Sequence, residues 1–191
     1  MSVSLEEKIA LAERAIGTSI QDRMLVLEAL QTSGNHIRWN QRLISVRKND
    51  NLAVLGDVVM KVILCEAWYE TGRPKGKSMK NLAVQHLLNQ ASGQWTTAEQ
   101  AAVCNANLSR IGFDNGLDKA IILNPGTVRA TEKLMSTTVE ALVGAAFIEG
   151  RLDAARKAIT ALGIDHEFLH AVTLTHSLAF PEEIHTYPVI G

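Results

Sequence analysis

Two long segments of this chain have apolar residues on nearly every face of a helix. The first runs from Leu52 to Tyr69 and the second from Thr131 to Ile148. A helix that is hydrophobic all round is buried in the centre of a protein rather than laid on its surface. The two segments therefore predict a fold with two central, buried helices.

Each central segment carries an acid within its apolar part, Asp57 in the first and Glu140 in the second. Burying an isolated carboxylate is costly unless it is paired, hydrogen-bonded or bound to a cation. If the helices cross at these positions, the two acids converge and can share a divalent cation, and carboxylate and water ligands suit Mg²⁺ or Mn²⁺. The alternative is that backbone amides or Lys61 satisfy both acids without a metal.

The rest of the sequence predicts further helices and no strands. Apolar residues recur at helical spacing from Leu5 to Ile16, and Asp22 opens a second helix that reaches Leu30. The segment from His36 to Arg47 is ambiguous, because arginines stand between residues spaced for burial. The other predicted helices cover residues 78–89, 96–111, 114–122, 152–162 and 165–176. With 191 residues, 47% of them hydrophobic, the chain predicts one all-α domain.

Charge and cysteine content narrow the class of protein. The net charge of -1 at pH 7 argues against phosphate binding by the whole surface, although it leaves room for a local basic patch. Cys65 and Cys104 form no metal-type pair, and both are predicted to be buried thiols. The N-terminus has acids where a signal peptide needs cations, and no run approaches the about 18 apolar residues of a membrane span. A soluble intracellular protein is expected, with cytosol, nucleus and mitochondrial matrix not distinguished.

Three motifs, in the correct order, resemble the ribonuclease III family. LGDVVM, residues 55–60, resembles the end of the family's signature helix NERLEFLGDAVL, and VEALVGAAFIEG, residues 139–150, resembles its second signature, ADxxEALIGAxYLDGG. AIGTSIQDRMLVLEAL, residues 15–30, resembles the family's opening, LGYxFxDxxLLxxALTH. NLSRIGFDNGLDKAI, residues 107–121, fits its middle helices, so the likeness extends from about Ile9 to Leu162.

The resemblance implies an all-helical endonuclease domain that forms a homodimer and hydrolyses double-stranded RNA with Mg²⁺ or Mn²⁺. On this interpretation residues 1–162 form the ribonuclease III-like domain. Residues 163–191 then form a C-terminal helix and tail, without a separate double-stranded RNA-binding domain.

The family's metal shell uses four acids, and the resemblance carries only two of them to this chain. Asp57 and Glu140 match, whereas Ala53 and Thr137 stand at the other two positions. Asp50 stands where the family has the first glutamate of its signature and is the third catalytic candidate. Because removing two anions of four weakens the attraction for a cation, Mg²⁺ or Mn²⁺ binding is expected to be weak or absent and hydrolysis to be impaired.

Two further side chains bear on this site. Lys61 lies one turn beyond Asp57, where its ammonium can pair with that carboxylate and occupy the space of a cation. Glu99, like Asp50, is an acid that a nearby segment could supply in place of the missing ligands.

The resemblance also directs attention to two surfaces. A Gly/Pro loop concentrates cations that are predicted to contact RNA phosphates, with a merely solvated loop as the alternative: Arg73, Lys75, Lys77 and Lys80. A second basic segment could lie beside the groove of the same RNA, with an exposed helical face as the alternative: Arg38, Arg42, Arg47 and Lys48. The predicted dimer interface comprises Leu52, Val54 and Leu55, with ordinary core packing as the alternative. Gly56 and Gly144 are predicted to mark a close helix–helix contact.

Two functions stay open on the sequence alone. One is a ribonuclease III-type endonuclease with an impaired site. The other is a catalytically inactive RNA-binding or scaffold homologue, such as the ribonuclease III-like subunits of mitochondrial ribosomes. The two replaced ligands favour the second function, and the family resemblance favours the first.

Overall fold

The computed structural model describes residues 3–71, 95–96 and 99–164 of the chain. Its elements, in chain order, are α1 (Leu5–Ala15), α2 (Arg23–Leu30), β1 (His36–Trp39), β2 (Arg42–Ser45), α3 (Asp50–Thr71), α4 (Asn105–Asp114), a 3₁₀ turn (Leu117–Lys119) and α5 (Glu132–Leu162). Residues 99–103 are also helical. The all-α prediction is confirmed apart from one short hairpin, and the helices predicted at 78–89 and 165–176 lie outside the described residues.

Side-chain caps fix the starts of the first two helices. The hydroxyl of Ser4 accepts a hydrogen bond from the Glu7 N–H, and the Glu7 carboxylate accepts one from the Ser4 N–H at 2.7 Å. The Asp22 carboxylate accepts from the Met24 N–H at 2.9 Å. These contacts satisfy N–H groups that have no partner inside a helix. They confirm that Asp22 opens the second helix.

The core is built around α3 and α5, whose backbones touch. A Cβ on Gly56 would lie 1.8 Å from the carbonyl oxygen of Glu140, and a Cβ on Gly144 would lie 2.2 Å from that of Leu52. No side-chain carbon fits at such distances, so glycine is required at both positions. The predicted close contact between these two helices is confirmed.

The other helices close around this pair. α2 and α4 both pack against α5, and α1 adds Ile9, Ala12 and Ile16 to the core. The ammonium of Lys8 donates hydrogen bonds to three carbonyl oxygens at the end of the 3₁₀ turn and just after it, those of Lys119 at 2.8 Å, Ala120 at 3.3 Å and Ile121 at 2.8 Å. These bonds join the first helix to a segment more than a hundred residues away.

The segment that the sequence left ambiguous forms an antiparallel β-hairpin. Ile37 pairs with Ile44 and Trp39 pairs with Arg42. The two-residue loop between the strands, Asn40 and Gln41, has positive φ angles of 48° and 64°, as a type I′ turn requires. The prediction of no strands was wrong here, because four-residue strands are too short for period-two alternation to stand out.

The hairpin is fastened to the helical body through Trp39. This side chain is partly buried against the core, and its indole N–H donates a hydrogen bond to the Glu6 carboxylate at 2.9 Å. The hairpin is therefore held against α1 rather than projecting freely.

The chain before α5 also departs from the predicted helices. The helix predicted over residues 96–111 is interrupted at Cys104, and α4 continues past Gly112 instead of ending there. Gly112 faces Met135 of α5, so its missing Cβ serves helix packing. The helix predicted at 114–122 is only the 3₁₀ turn.

The prediction that Cys65 and Cys104 are buried was wrong, because both are exposed.

α5 consists of two helical parts joined at a kink. Gly150 and Arg151 have non-helical backbone angles. Arg151 has φ 56° and ψ −151°, a conformation that residues other than glycine rarely adopt. The Arg151 guanidinium lies over the ring of Phe147, 5.8 Å from its centroid. The two helices predicted at 131–148 and 152–162 correspond to these two parts.

Across the residues described, no helix combines the length and apolar character that a bilayer crossing requires.

Candidate functional site

Asp57 and Glu140 lie where α3 crosses α5. Gly56, which precedes Asp57, contacts the main chain of Glu140 itself, and both acidic side chains are partly buried. The negative charge of Asp57 acts on Glu140 strongly enough to contribute to the rise of its pKa. The structure therefore brings together the two acids that the sequence predicted to converge.

Glu140 is not fully ionised at neutral pH. Burial raises the pKa of its carboxyl to about 7, and the charge of Asp57 adds to the rise. The ammonium groups of Lys133 and Lys61 act in the opposite direction. Protonated and ionised forms of Glu140 therefore coexist near neutral pH.

Lys61 faces the same site with its ammonium. Its Nζ lies 2.8 Å from Oδ2 of Asp57 and 3.9 Å from Oε1 of Glu99. The hydrogen bond to Asp57 is the main cause that raises the pKa of Lys61, so the side chain is a cation at neutral pH. Glu99 is thus brought to the site, as an acid that faces a lysine.

The remaining candidate ligand positions contribute no carboxylate to the pair. Ala53 is a core residue with 5% of its surface exposed, and Thr137 is a partly buried side chain of α5. The carboxylate of Asp50 pairs with Lys48 at 2.8 Å. Asp50 precedes Asp57 by seven positions, which is about 10 Å along the axis of α3.

These residues do not fit a divalent-metal centre of the family's kind. Within residues 3–71, 95–96 and 99–164, no group of three or more His, Cys, Asp or Glu side chains is arranged to hold a metal ion. Mg²⁺ favours a nearly octahedral shell of oxygens with carboxylates that remain charged. Here burial favours the protonated form of Glu140, and Asp57 is hydrogen-bonded to the ammonium of Lys61. The roles assigned to Asp57, Glu140 and Asp50 stay predictions.

The structure describes the predicted interface residues but not the predicted RNA-binding residues of the Gly/Pro loop. Arg73, Lys75, Lys77 and Lys80 lie outside the described residues. Among the predicted interface residues, Leu52 is 4% exposed and belongs to the core, Leu55 is partly buried, and Val54 is 68% exposed.

One surface was predicted only in part, because Val54 was among the predicted interface residues and Val58 and Val62 were not. Val54, Val58 and Val62 form an exposed row along α3, with exposed fractions of 68%, 53% and 48%. Their spacing of four residues places them on one face of the helix. The apolar sequence of α3 predicts burial of Val58 and Val62, whereas the structure leaves both exposed; the spacing of four residues from Val54 was the available signal.

Comparison with known proteins identifies the family. The ribonuclease-III-like family model matches residues 22–165. Ribonuclease 3 of Syntrophotalea carbinolica is 29% identical over 161 residues, which cover 82% of this chain and 62% of the relative. Ribonuclease 3 of Idiomarina loihiensis is 24% identical over 151 residues, which cover 77% of this chain and 56% of the relative. The chain thus matches somewhat more than half of the length of each.

Solved structures agree with this fold. The nuclease domain of ribonuclease III from Campylobacter jejuni matches 81% of this chain and 92% of its own, with a TM-score of 0.59 and 16% identity. A second structure of that domain, concerned with structural flexibility in the region involved in dimer formation, matches with a TM-score of 0.60 and 17% identity, over 81% and 95% of the two chains. The family match spans most of the sequence and the helical architecture agrees with it, so this chain belongs to the ribonuclease-III-like family.

Proposed function

We propose that this chain is a ribonuclease III-type domain that binds double-stranded or structured RNA as a homodimer, and that its phosphodiester hydrolysis is impaired. One observation carries the proposal. Asp57 and Glu140 meet at the crossing of α3 and α5, at signature positions of the family, while Ala53 and Thr137 replace the other two acids. The architecture of the family is kept, and half of its acidic charge is missing.

The charge around Asp57 and Glu140 supports the part of the proposal that concerns impaired hydrolysis. Hydrolysis of a phosphodiester in such a site relies on a divalent cation to ionise water near neutral pH. Lys61 neutralises part of the negative charge that remains, and Glu140 is only partly ionised. The attraction that would hold a divalent cation is therefore much weaker than that of four carboxylates.

The charge of the β-hairpin supports the proposal that this chain binds RNA. Residues 33–49 contain no acid, and the side chains of Arg38, Arg42 and Arg47 are exposed. Within the described part of the chain, none of these three arginines forms an ion pair. Double-stranded RNA is bound mainly through its shape and its phosphates, so an exposed, acid-free hairpin offers a suitable contact surface.

The exposed row of Val54, Val58 and Val62 supports a homodimer through α3. An apolar row on a central helix is costly to leave in water and is typical of a surface that a second chain covers. The Campylobacter jejuni structure described above concerns a domain with a region involved in dimer formation.

RNA binding is tested by fluorescence anisotropy with a short RNA duplex at low and at moderate salt. We expect binding that weakens steeply as salt rises, because phosphate contacts release counterions. Arg38→Ala with Arg42→Ala should weaken binding and reduce the salt dependence. Arg110→Ala, which removes an exposed arginine of α4 that is paired with Asp114, is the matched control. No binding by the wild type at low salt would contradict the proposal.

Cleavage is tested with the same duplex in Mg²⁺ and in Mn²⁺. We expect no product above that of the double variant Asp57→Asn, Glu140→Gln. Efficient cleavage by the wild type that the double variant abolishes would show a working site and would overturn the impaired-hydrolysis part of the proposal.

The homodimer is tested by sedimentation velocity. Val58→Glu should shift the protein towards the monomer, because it places a charge in the middle of the apolar row. Val128→Glu is the matched control, since Val128 is a 96% exposed loop valine far along the chain from α3. A wild type that stays monomeric at high concentration would count against the interface.

A further inference from the structure

We propose that the ammonium of Lys61 is the resident cation of the α3–α5 site, and that this tethered charge takes the place that a divalent metal would have beside Asp57. The inference deepens the proposed function, because it gives a physical reason for impaired hydrolysis. It rests on contacts within the chain rather than on any property of RNA.

The geometry is that of a cation gathering acids from separate segments. Lys61 and Asp57 lie one turn apart on α3, with Nζ 2.8 Å from Oδ2. Glu99 approaches from the segment before α4, with Oε1 3.9 Å from the same Nζ. Glu140 of α5 also acts on the ammonium through its charge. One side chain thus receives negative charge from three parts of the fold.

A tethered ammonium has two advantages over a free metal ion at this place. It is always present, because it is part of the helix that carries Asp57. It is also satisfied by few acids, since a single positive charge needs less compensation than a double one. A divalent ion that approached Asp57 would have to break the hydrogen bond to Lys61 and would be repelled by its ammonium.

The alternative is an ordinary pair on a helix surface. The side chain of Lys61 is 41% exposed, and i,i+4 pairs of this kind contribute little to stability. Two features separate Lys61 from such a pair: the third acid, Glu99, and the position at the crossing where the family's metal ligands have been replaced. The alternative predicts that removing Lys61 leaves the response to metal unchanged.

The test is a titration with Mn²⁺ alone, followed by calorimetry and by the melting temperature of the full chain. We expect the wild type to show no binding at about 1 mM Mn²⁺ and no shift in melting temperature with Mn²⁺ or with a chelator. Lys61→Met keeps the length of the side chain and removes its charge, so Mn²⁺ should bind and raise the melting temperature. Lys133→Met is the matched control, because Lys133 acts on Glu140 without contacting Asp57; it should remain indifferent to Mn²⁺.

A second pair of variants keeps the inference testable if Lys61→Met fails to fold. Lys61→Arg retains the positive charge and should remain indifferent to Mn²⁺. Ala53→Glu with Thr137→Asp restores the acids, and adding Lys61→Met to that protein should tighten Mn²⁺ binding by about tenfold or more. Equal Mn²⁺ affinity with and without Lys61 would overturn the inference, and so would tight Mn²⁺ binding by the wild type.

The results of these Mn²⁺ titrations can be distinguished from the results of the RNA-binding and cleavage tests. A wild type that ignores Mn²⁺ but does not bind RNA would leave the Lys61 inference standing and remove the RNA-binding proposal. A wild type that binds Mn²⁺ tightly, binds RNA and does not cleave it would overturn the Lys61 inference and leave the proposed function standing.

Discussion

Gly56 of α3 lies against the main chain of Glu140 of α5, so closely that a Cβ at position 56 would stand 1.8 Å from the Glu140 carbonyl oxygen. Glu140 is one acid of the candidate site, and Asp57, the other, directly follows Gly56. The packing contact and the site are therefore one feature of the fold. Any change that separates the two helices also separates the two acids.

Gly56→Ala is expected to destabilise the fold strongly. The new methyl group would collide with backbone, which cannot move away as a side chain can, so we expect a loss of about 3 kcal/mol or more in the free energy of unfolding. Gly112→Ala is the comparison, because its Cβ would meet side-chain atoms of Met135 and Val139 rather than backbone and should cost less, about 1–2 kcal/mol. Urea denaturation measures both, and equal losses would contradict the contact.

Glu140→Gln is expected to change how stability depends on pH. The pKa of Glu140 rises from 4.5 to about 7 on folding. The folded protein therefore holds this proton more tightly than the unfolded chain, and the resulting stability is present below pH 4.5 and is lost as pH rises through about 7. Relative to the wild type, Glu140→Gln should gain ~1–2 kcal/mol between pH 4.5 and pH 8, reduced for partial exposure.

Denaturation curves at several pH values measure this difference. Glu132→Gln, a change of an exposed acid on the same helix, is the control and should follow the wild type in parallel. A constant difference between Glu140→Gln and the wild type across this range would argue against a buried, partly protonated Glu140.

Arg151→Gly is expected to stabilise the protein. The backbone at this position has φ 56° and ψ −151°, which only glycine adopts without strain, and the family's second signature has a glycine here. Relief of strain should raise the free energy of unfolding by about 1 kcal/mol, after loss of the contact with Phe147. Arg151→Ala loses the same contact but keeps the strain, so thermal melting should show no gain for it.

Gln41→Gly is expected to stabilise the hairpin. Asn40 and Gln41 both have positive φ, and Asn-Gly is the preferred sequence for such a turn. We expect a gain of about 0.5–1 kcal/mol, because glycine has no Cβ to strain at this φ. Hydrogen exchange of the hairpin amides reports it locally. Gln41→Ala serves as the comparison and should give no added protection; protection equal to that of glycine would mean that the turn is not strained.

The central helices and their acids were predictable from the sequence because each is encoded locally. An all-round apolar run identifies a central helix, and an acid within it needs a partner wherever it lies. Gly56 and Gly144 could be interpreted as a close approach because both lie inside such runs. The resemblance to ribonuclease III then supplied the pairing of the two helices.

The hairpin and the environment of Lys61 depend on contacts that sequence spacing does not contain. Trp39 finds its partner Glu6 some thirty residues earlier, and Glu99 reaches Lys61 from a separate segment. The exposure of Val58 and Val62 could not be predicted for a different reason. An apolar face looks the same in sequence whether its own chain or another protein covers it.

Lys8 has a consequence for where this domain begins. The family match starts at residue 22, after the whole of α1, yet the Lys8 ammonium donates hydrogen bonds to three carbonyls at the end of the 3₁₀ turn and just after it. A fragment cut at that boundary would strip Ile9 and Ile16 from the interior and leave those carbonyls without their donor. A truncation guided by the family boundary would therefore remove part of the core, and the shortened protein is expected to be less stable than the whole chain.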